Sequence, residues 1–465
     1  MSQFNKANDT NDLEQFGYKQ ELNRSMQKFS SFAISFSLIS ILTGIFANFQ
    51  FGYENISSKI IYSWLLVFFG QLLVASIMSD LSIKFPLSGY GYQWSSRLVN
   101  KNFGFATGWL LLTQFITGFP GICKAMAILI EELINQYLEF NISNNLISIF
   151  LIWIIIYFHY LGIKIISKIN NVGVIMELIG VIVLIGLLVF FIYKIDFSEI
   201  NFSKDFSFTG ISFNSFALSI LLGAWCLTGF EAASDMSEET IDPKKTVPKS
   251  IFSSLIYSGI FGMILILLFS IYMLSEDISY FTGDNILYKL MNGVFGKEIF
   301  AVILFFILSA IFACGVACVA SSSRLIFSMS RDRILPKSNW LRYINRKGAP
   351  SNTLFIIGLL STVFILLFDE IEVITGVSAI AGYLGYCGII VSSFYKKETD
   401  LNISAFLKRN FKIVKVIAIC WCFFVVCCLL TPMNNDQNSF VNIIPAVSTI
   451  SFIFIGFLVY LLNKR

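Results

Sequence analysis

"LTGIF" at Leu42–Phe46 and "LTGFE" at Leu227–Glu231 set one Leu-Thr-Gly triplet, a turn-type pair behind a leucine, inside two long apolar runs. The runs that hold them cover 32–53 and 212–236. Ten more of the same kind follow the chain at 61–80, 104–131, 146–163, 172–194, 251–274, 299–328, 353–368, 373–395, 411–431 and 443–463. Runs of roughly 18 apolar residues read as membrane spans. The composition agrees: 56% hydrophobic and 13% charged, with 49 Phe, where a soluble chain carries about 25% charge. The expected fold class is an all-α membrane protein of twelve transmembrane helices lying in a lipid bilayer.

The polar start of the chain, 1–30, reads as a cytoplasmic tail, since no apolar stretch and small-residue cleavage site follow a short basic beginning. Residues 31–463 read as one transmembrane domain. Lys and Arg collect on the cytoplasmic side of short loops. With the N-terminus inside, 27 of the 33 fall on inner segments and five, Lys59, Lys194, Lys204, Lys289 and Lys297, on outer ones. The expected topology is multi-pass, with both termini cytoplasmic. The net charge of +4 is explained by those inner loops and calls for no nucleic-acid partner.

Enzymatic and metal chemistry find little support. All nine Cys fall inside apolar runs without ligand spacing, and the single His159 has no ligand partner in sequence, so no metal and no cofactor are expected. No GxxxxGK[ST] stretch is present to cradle a nucleotide.

In lipid every backbone N–H and C=O needs an internal partner. A Thr-Gly pair in mid-span is therefore either close packing of helices or a break. Position favours the break. The triplets lie near mid-depth of spans one and six, the corresponding members of two five-span halves, about 31–194 and 212–395, with two extra helices at about 411–463. Transporters built from inverted repeats hold substrate at such paired breaks. Free N–H groups of one half-helix suit an anion and free carbonyls of another suit an ammonium, so a zwitterion fits both. The expected substrate-binding residues are Thr43, Gly44, Ile45 and Phe46 in span one, with Thr43–Ile45 non-helical, and Trp225, Thr228, Gly229 and Phe230 in span six. Trp225 either closes over the ligand or packs helices.

"TGFEAASDMSEETIDPKKTVPKSI" (Thr228–Ile251) closely resembles the sixth-span signature of the amino acid–polyamine–organocation transporters, nearest to the amino acid/choline permease branch. "FPLSGYGYQW" (Phe85–Trp94) is similar to that family's P-x-S-G-G-x-Y-x-W stretch, with Tyr90 in place of its second Gly. "INNVGVIMELIG" (Ile169–Gly180) and "SRLIFSMSRDRILP" (Ser323–Pro336) resemble the start of its span five and the end of its span eight. The resemblance implies a 5+5 inverted repeat with broken helices one and six and two additional spans, and secondary transport of a small molecule, an amino acid or related amine, by alternating access.

Ionisable groups inside a membrane tend to be functional. Glu231 follows the span-six break, either protonating or accepting from the broken backbone. Glu177 in span five either carries a coupling proton or reaches the headgroups. Lys124 in span three is either a counter-charge or a snorkelling side chain. Ser321 and Ser322 in span eight could bind sodium with span-one carbonyls, or simply pack helices. A proton needs fewer parts than sodium and is the expected coupling ion. Asp235, Glu238, Glu239 and Asp242 with Lys244 and Lys245 read as a solvated loop, with Pro243 and Pro248 ending the helix. A channel would show a filter or pore charges and a receptor a soluble sensing domain. Neither is evident. An obligate exchanger of the same fold remains open.

Overall fold

The computed structural model describes residues 13–22, 24–138, 142–193, 200–275, 286–396, 398–401, 405–432 and 444–463. Residues 1–12 and 23 of the expected tail, the expected span limits 194 and 443, and Lys194 lie outside them. Among the described residues the chain is helical, with a single isolated bridge pairing Met26 to Thr240.

Among the described residues the apolar helices form twelve spans, two of them split. Span one is split into Lys28–Ile39 and Ile41–Ile56, and span two is Ile60–Lys84. Spans three to five are Lys101–Leu138, Asn144–Tyr160 and Ile163–Ile192. Span six is split into Phe213–Cys226 and Ala232–Asp235. Span seven is Pro243–Ser275, span eight Lys297–Arg331, span nine Ser351–Leu367 and span ten Ile371–Ser393. Spans eleven and twelve are Ala405–Leu429 and Ile444–Asn463. Each half holds five spans, an odd number, so the second half enters the membrane in the opposite sense to the first. The packing follows that symmetry. Span three lies along span ten and span eight along span five, two pairs that an exchange of the halves interconverts. The first half of span six packs on the second half of span one, and span two on span seven.

Outward-facing side chains such as Ile182, Phe190, Phe305, Leu366 and Phe454 are exposed and apolar. That is the surface lipid requires, since no hydrophobic gain comes from hiding them. Proline placement differs from the sequence expectation. Pro243 opens span seven, where its missing N–H costs nothing, and Pro248 lies inside that helix.

The described part of the N-terminal tail is packed against the protein. Tyr18 reaches Asp332 after span eight, and Asn463 at the far end of span twelve donates to the Arg333 carbonyl. Both ends of the described chain therefore meet on one side, called here the tail side.

Candidate functional site

Span one breaks at one residue, Ser40, whose φ of 33° leaves the helical region. The following half-helix begins at Ile41, so Thr43–Ile45 are helical and the break falls earlier than the triplet suggested. A serine can do this because its own hydroxyl replaces a lost partner: Ser40 Oγ accepts from the Thr43 N–H at 3.3 Å and from Thr43 Oγ1 at 2.6 Å. The Leu42 N–H is aimed at Glu177 Oε1 of span five, 3.5 Å away. Gly44 serves close packing instead: a Cβ there would stand 2.3 Å from Cys226 Sγ.

Span six is open from Leu227 to Glu231. Gly229 turns at φ 98°, and a Cβ on it would lie 2.6 Å from Leu38 Cγ, so only glycine fits in both conformation and space. Neighbouring spans hold the loop. Gln71 donates to the Leu227 carbonyl at 3.1 Å and Ser35 to the Phe230 carbonyl at 2.8 Å. Glu231 folds back on the break: its Oε2 accepts the Gly229 N–H at 3.1 Å and its Oε1 accepts the Tyr386 hydroxyl of span ten at 2.8 Å.

Between the breaks lies a cavity of about 30 Å³, lined by Leu38, Ile39, Thr43, Gln114, Phe115, Gly118, Ile122, Trp225, Thr228, Gly229, Cys314, Cys318 and Ser378. That is room for roughly two waters. Of the residues singled out from sequence, Thr43, Trp225, Thr228 and Gly229 line it. Gly44, Ile45, Phe46 and Phe230 do not; Phe230 instead faces the Tyr386 ring at 6.0 Å. Gln114, Ser378, Cys314 and Cys318 were not anticipated. They come from spans three, ten and eight, and only the fold brings them together. No lysine, arginine or histidine is among the lining residues, so polarity in the cavity comes from hydroxyls, an amide and backbone.

The tail side of the cavity is closed by ion pairs. Glu238 and Glu239, expected as a solvated loop with Asp235, are buried, as Asp235 is. The reason is two arginines of span eight. Arg324 grips Glu239 with Nε at 3.0 Å and Nη2 at 3.1 Å, and Arg331 grips Glu238 through two bonds of 2.9 Å. Bidentate geometry of this kind offsets part of the cost of removing both charges from water. Asp242 and Lys245 do form an exposed pair. The tail adds a further layer. The Ser25 and Met26 N–H groups donate to the Glu239 carbonyl, and Tyr18 lies under the Arg331 guanidinium at 3.7 Å while donating to Asp332 at 2.7 Å. Burial first, and then the Asp332 carboxylate, push the Tyr18 phenol above its usual range.

The remaining candidates are placed as follows. Ser322 donates to its own helix at Val319, and the buried Ser321 hydroxyl lies beside the Asp235 carboxyl. Arg324 Nη1 donates to the adjacent Ser323, which puts the Arg324–Glu239 ion pair beside these serines. His159 bonds the Val316 carbonyl at 2.8 Å and ties span four to span eight. Lys124 meets Asp369 and Asn145, each at 2.6 Å. Its hydrogen bond and charge hold the Asp369 carboxyl below the ordinary range. Lys124 thus reaches the short turn between spans nine and ten, away from the cavity.

Two inverted five-span halves, broken at corresponding helices around a small cavity, define a multi-pass membrane transporter fold. The chain belongs to the amino acid permease family, whose sequence model matches residues 27–460. It is 26% identical to the amino-acid permease BAT1 of Arabidopsis thaliana over 443 residues, covering 88% of this chain and 86% of that protein. It is 24% identical to the low-affinity putrescine importer PlaP of Escherichia coli, covering 62% of this chain and 64% of that one. Among solved structures, a manganese transporter of Eremococcus coleocola shares the fold at a TM-score of 0.58, with 11% identity and 94% of both chains covered. Members of this family are permeases, membrane carriers of small molecules.

Proposed function

We propose that the chain is a secondary active permease that takes up an amino acid across the cytoplasmic membrane by alternating access, coupled to protons, with both termini in the cytoplasm. The observation that carries this reading is the meeting of two broken helices at one small cavity, with Thr43 on one side and Trp225, Thr228 and Gly229 on the other. In it the substrate carboxylate lies against the start of the second half of span one, beside Thr43. Its ammonium lies against the carbonyls that end the first halves of spans one and six. A cavity of this size must expand to admit an amino acid, and Trp225 is the side chain best placed to swing aside.

Proton coupling is supported by charge bookkeeping. Among the described residues Glu177 and Glu231, like Asp235, have no ion-pair partner, because Arg324 and Arg331 are held by Glu239 and Glu238. Each is thus able to carry a proton. Sodium at Ser321 and Ser322 is less favoured, because it needs several oxygen ligands assembled at once where a proton needs a single acid. The lysine distribution supports the cytoplasmic placement of the termini.

A second reading, an amine carrier, draws on the likeness to a putrescine importer and on a cavity without basic side chains. Uptake by the purified protein in sealed vesicles decides between them. Amino acids should accumulate under an inward proton gradient, and putrescine or choline should not. Accumulation of the amines alone supports the second reading, and exchange without net accumulation identifies an exchanger.

A further inference from the structure

We infer that a groove on the tail-side face of span seven binds an anionic phospholipid. The groove holds about 590 Å³ between the start of span seven, the end of span two at Ile83, and Leu401 beyond span ten. Three exposed lysines, Lys244, Lys245 and Lys249, stand at its mouth. Lys245 has only a 3.5 Å contact with Asp242, both side chains being exposed, and Lys249 has no acidic partner among the described residues.

Below the lysines the wall becomes apolar. Lys245, Lys249, Phe252 and Ile256 follow one another at helical spacing and share a face. From Lys249 to Ile256 the helix rises about 10 Å. Ile256 and Tyr257 are exposed although they belong to an apolar span, so what they meet in a bilayer is an acyl chain. Cations at the membrane surface above an apolar trough match the shape and charge of a phospholipid, phosphate above and chain below. With Lys249 unpaired among the described residues and Lys245 held only by an exposed 3.5 Å contact, the mouth of the groove selects a net negative headgroup. A choline headgroup would bring a cation of its own to the lysines.

The test is native mass spectrometry of the intact, delipidated protein with phosphatidylglycerol or phosphatidylcholine. The wild type should hold phosphatidylglycerol about tenfold more tightly than phosphatidylcholine. The K244Q/K245Q/K249Q variant should lose that preference. K408Q/K412Q, on span eleven, should keep it. Exposed lysines carry little of the fold, and a thermal melt matching the wild type confirms that the triple variant is folded; if it is not, K245Q/K249Q takes its place. The inference is overturned if the triple variant keeps the preference, or if K408Q/K412Q loses it equally, which would mean diffuse attraction. It is also overturned if millimolar glycerol phosphate displaces the lipid as well as phosphatidylglycerol does, which would mean a site for a free phosphate.

Discussion

The breaks in spans one and six occupy corresponding places in the two halves of the chain and are built by different means. Span one gives up its helix at Ser40 alone, and a hydroxyl in that residue caps the next turn. Span six is open over five residues, turns on Gly229, and is fastened from span one by Ser35, from span two by Gln71 and from span ten by Tyr386. The acids are placed differently too. At the first break the carboxylate comes from span five, as Glu177. At the second it belongs to the break itself, as Glu231, and span ten, the counterpart of span five, contributes a hydroxyl. One break is a hinge at a point and the other is a braced loop. The expected consequence is that the first half of span one tilts during transport while the span-six loop keeps its shape.

Four substitutions test that contrast, in descending order of effect. Arg324→Met leaves Glu239 buried and unpaired on the braced side. It should cost about 3–5 kcal/mol, read as a lower melting temperature, and adding Glu239→Leu should recover much of the loss. Gly229→Ala forces an L-residue into a left-handed turn at a strain of about 1–3 kcal/mol, with the Leu38 contact added to it; vesicle uptake should fall close to background. Tyr386→Phe deprives Glu231 of a donor and should cost about 1–2 kcal/mol in thermal unfolding, with uptake reduced but measurable. Ser40→Gly relieves an unusual φ while losing the cap, a net change of about a few tenths of a kcal/mol, and uptake should stay near wild type. If Ser40→Gly proved as damaging as Gly229→Ala, the distinction between hinge and braced loop would be lost.

The sequence made some of this legible for definite reasons. Twelve spans could be read because a bilayer demands long apolar runs, and that requirement is local. The break at Thr228–Phe230 could be read because Gly229 is needed for its conformation. The break at Ser40 could not, because a lone serine in an apolar run carries no pattern, and the nearby Gly44 drew attention for a different reason: its packing against Cys226. Glu238 and Glu239 looked solvated because the arginines that bury them lie far along the chain, in span eight. Gln114, Cys314 and Ser378 reach the cavity only through the packing of spans three, eight and ten, which no short motif encodes.

The central claim is that the two breaks form a substrate site whose transport is driven by protons through Glu231, with Glu177 as the second carrier. The most direct measurement is amino acid uptake into sealed vesicles with proton and sodium gradients imposed separately, for the wild type, Glu231→Gln and Glu177→Gln, from about pH 5 to 8. The account predicts that a proton gradient alone drives accumulation in the wild type, that a sodium gradient does not, and that Glu231→Gln slows uptake or shifts its pH dependence. Accumulation driven by sodium alone, or a wild-type rate for Glu231→Gln across that whole range, would contradict it.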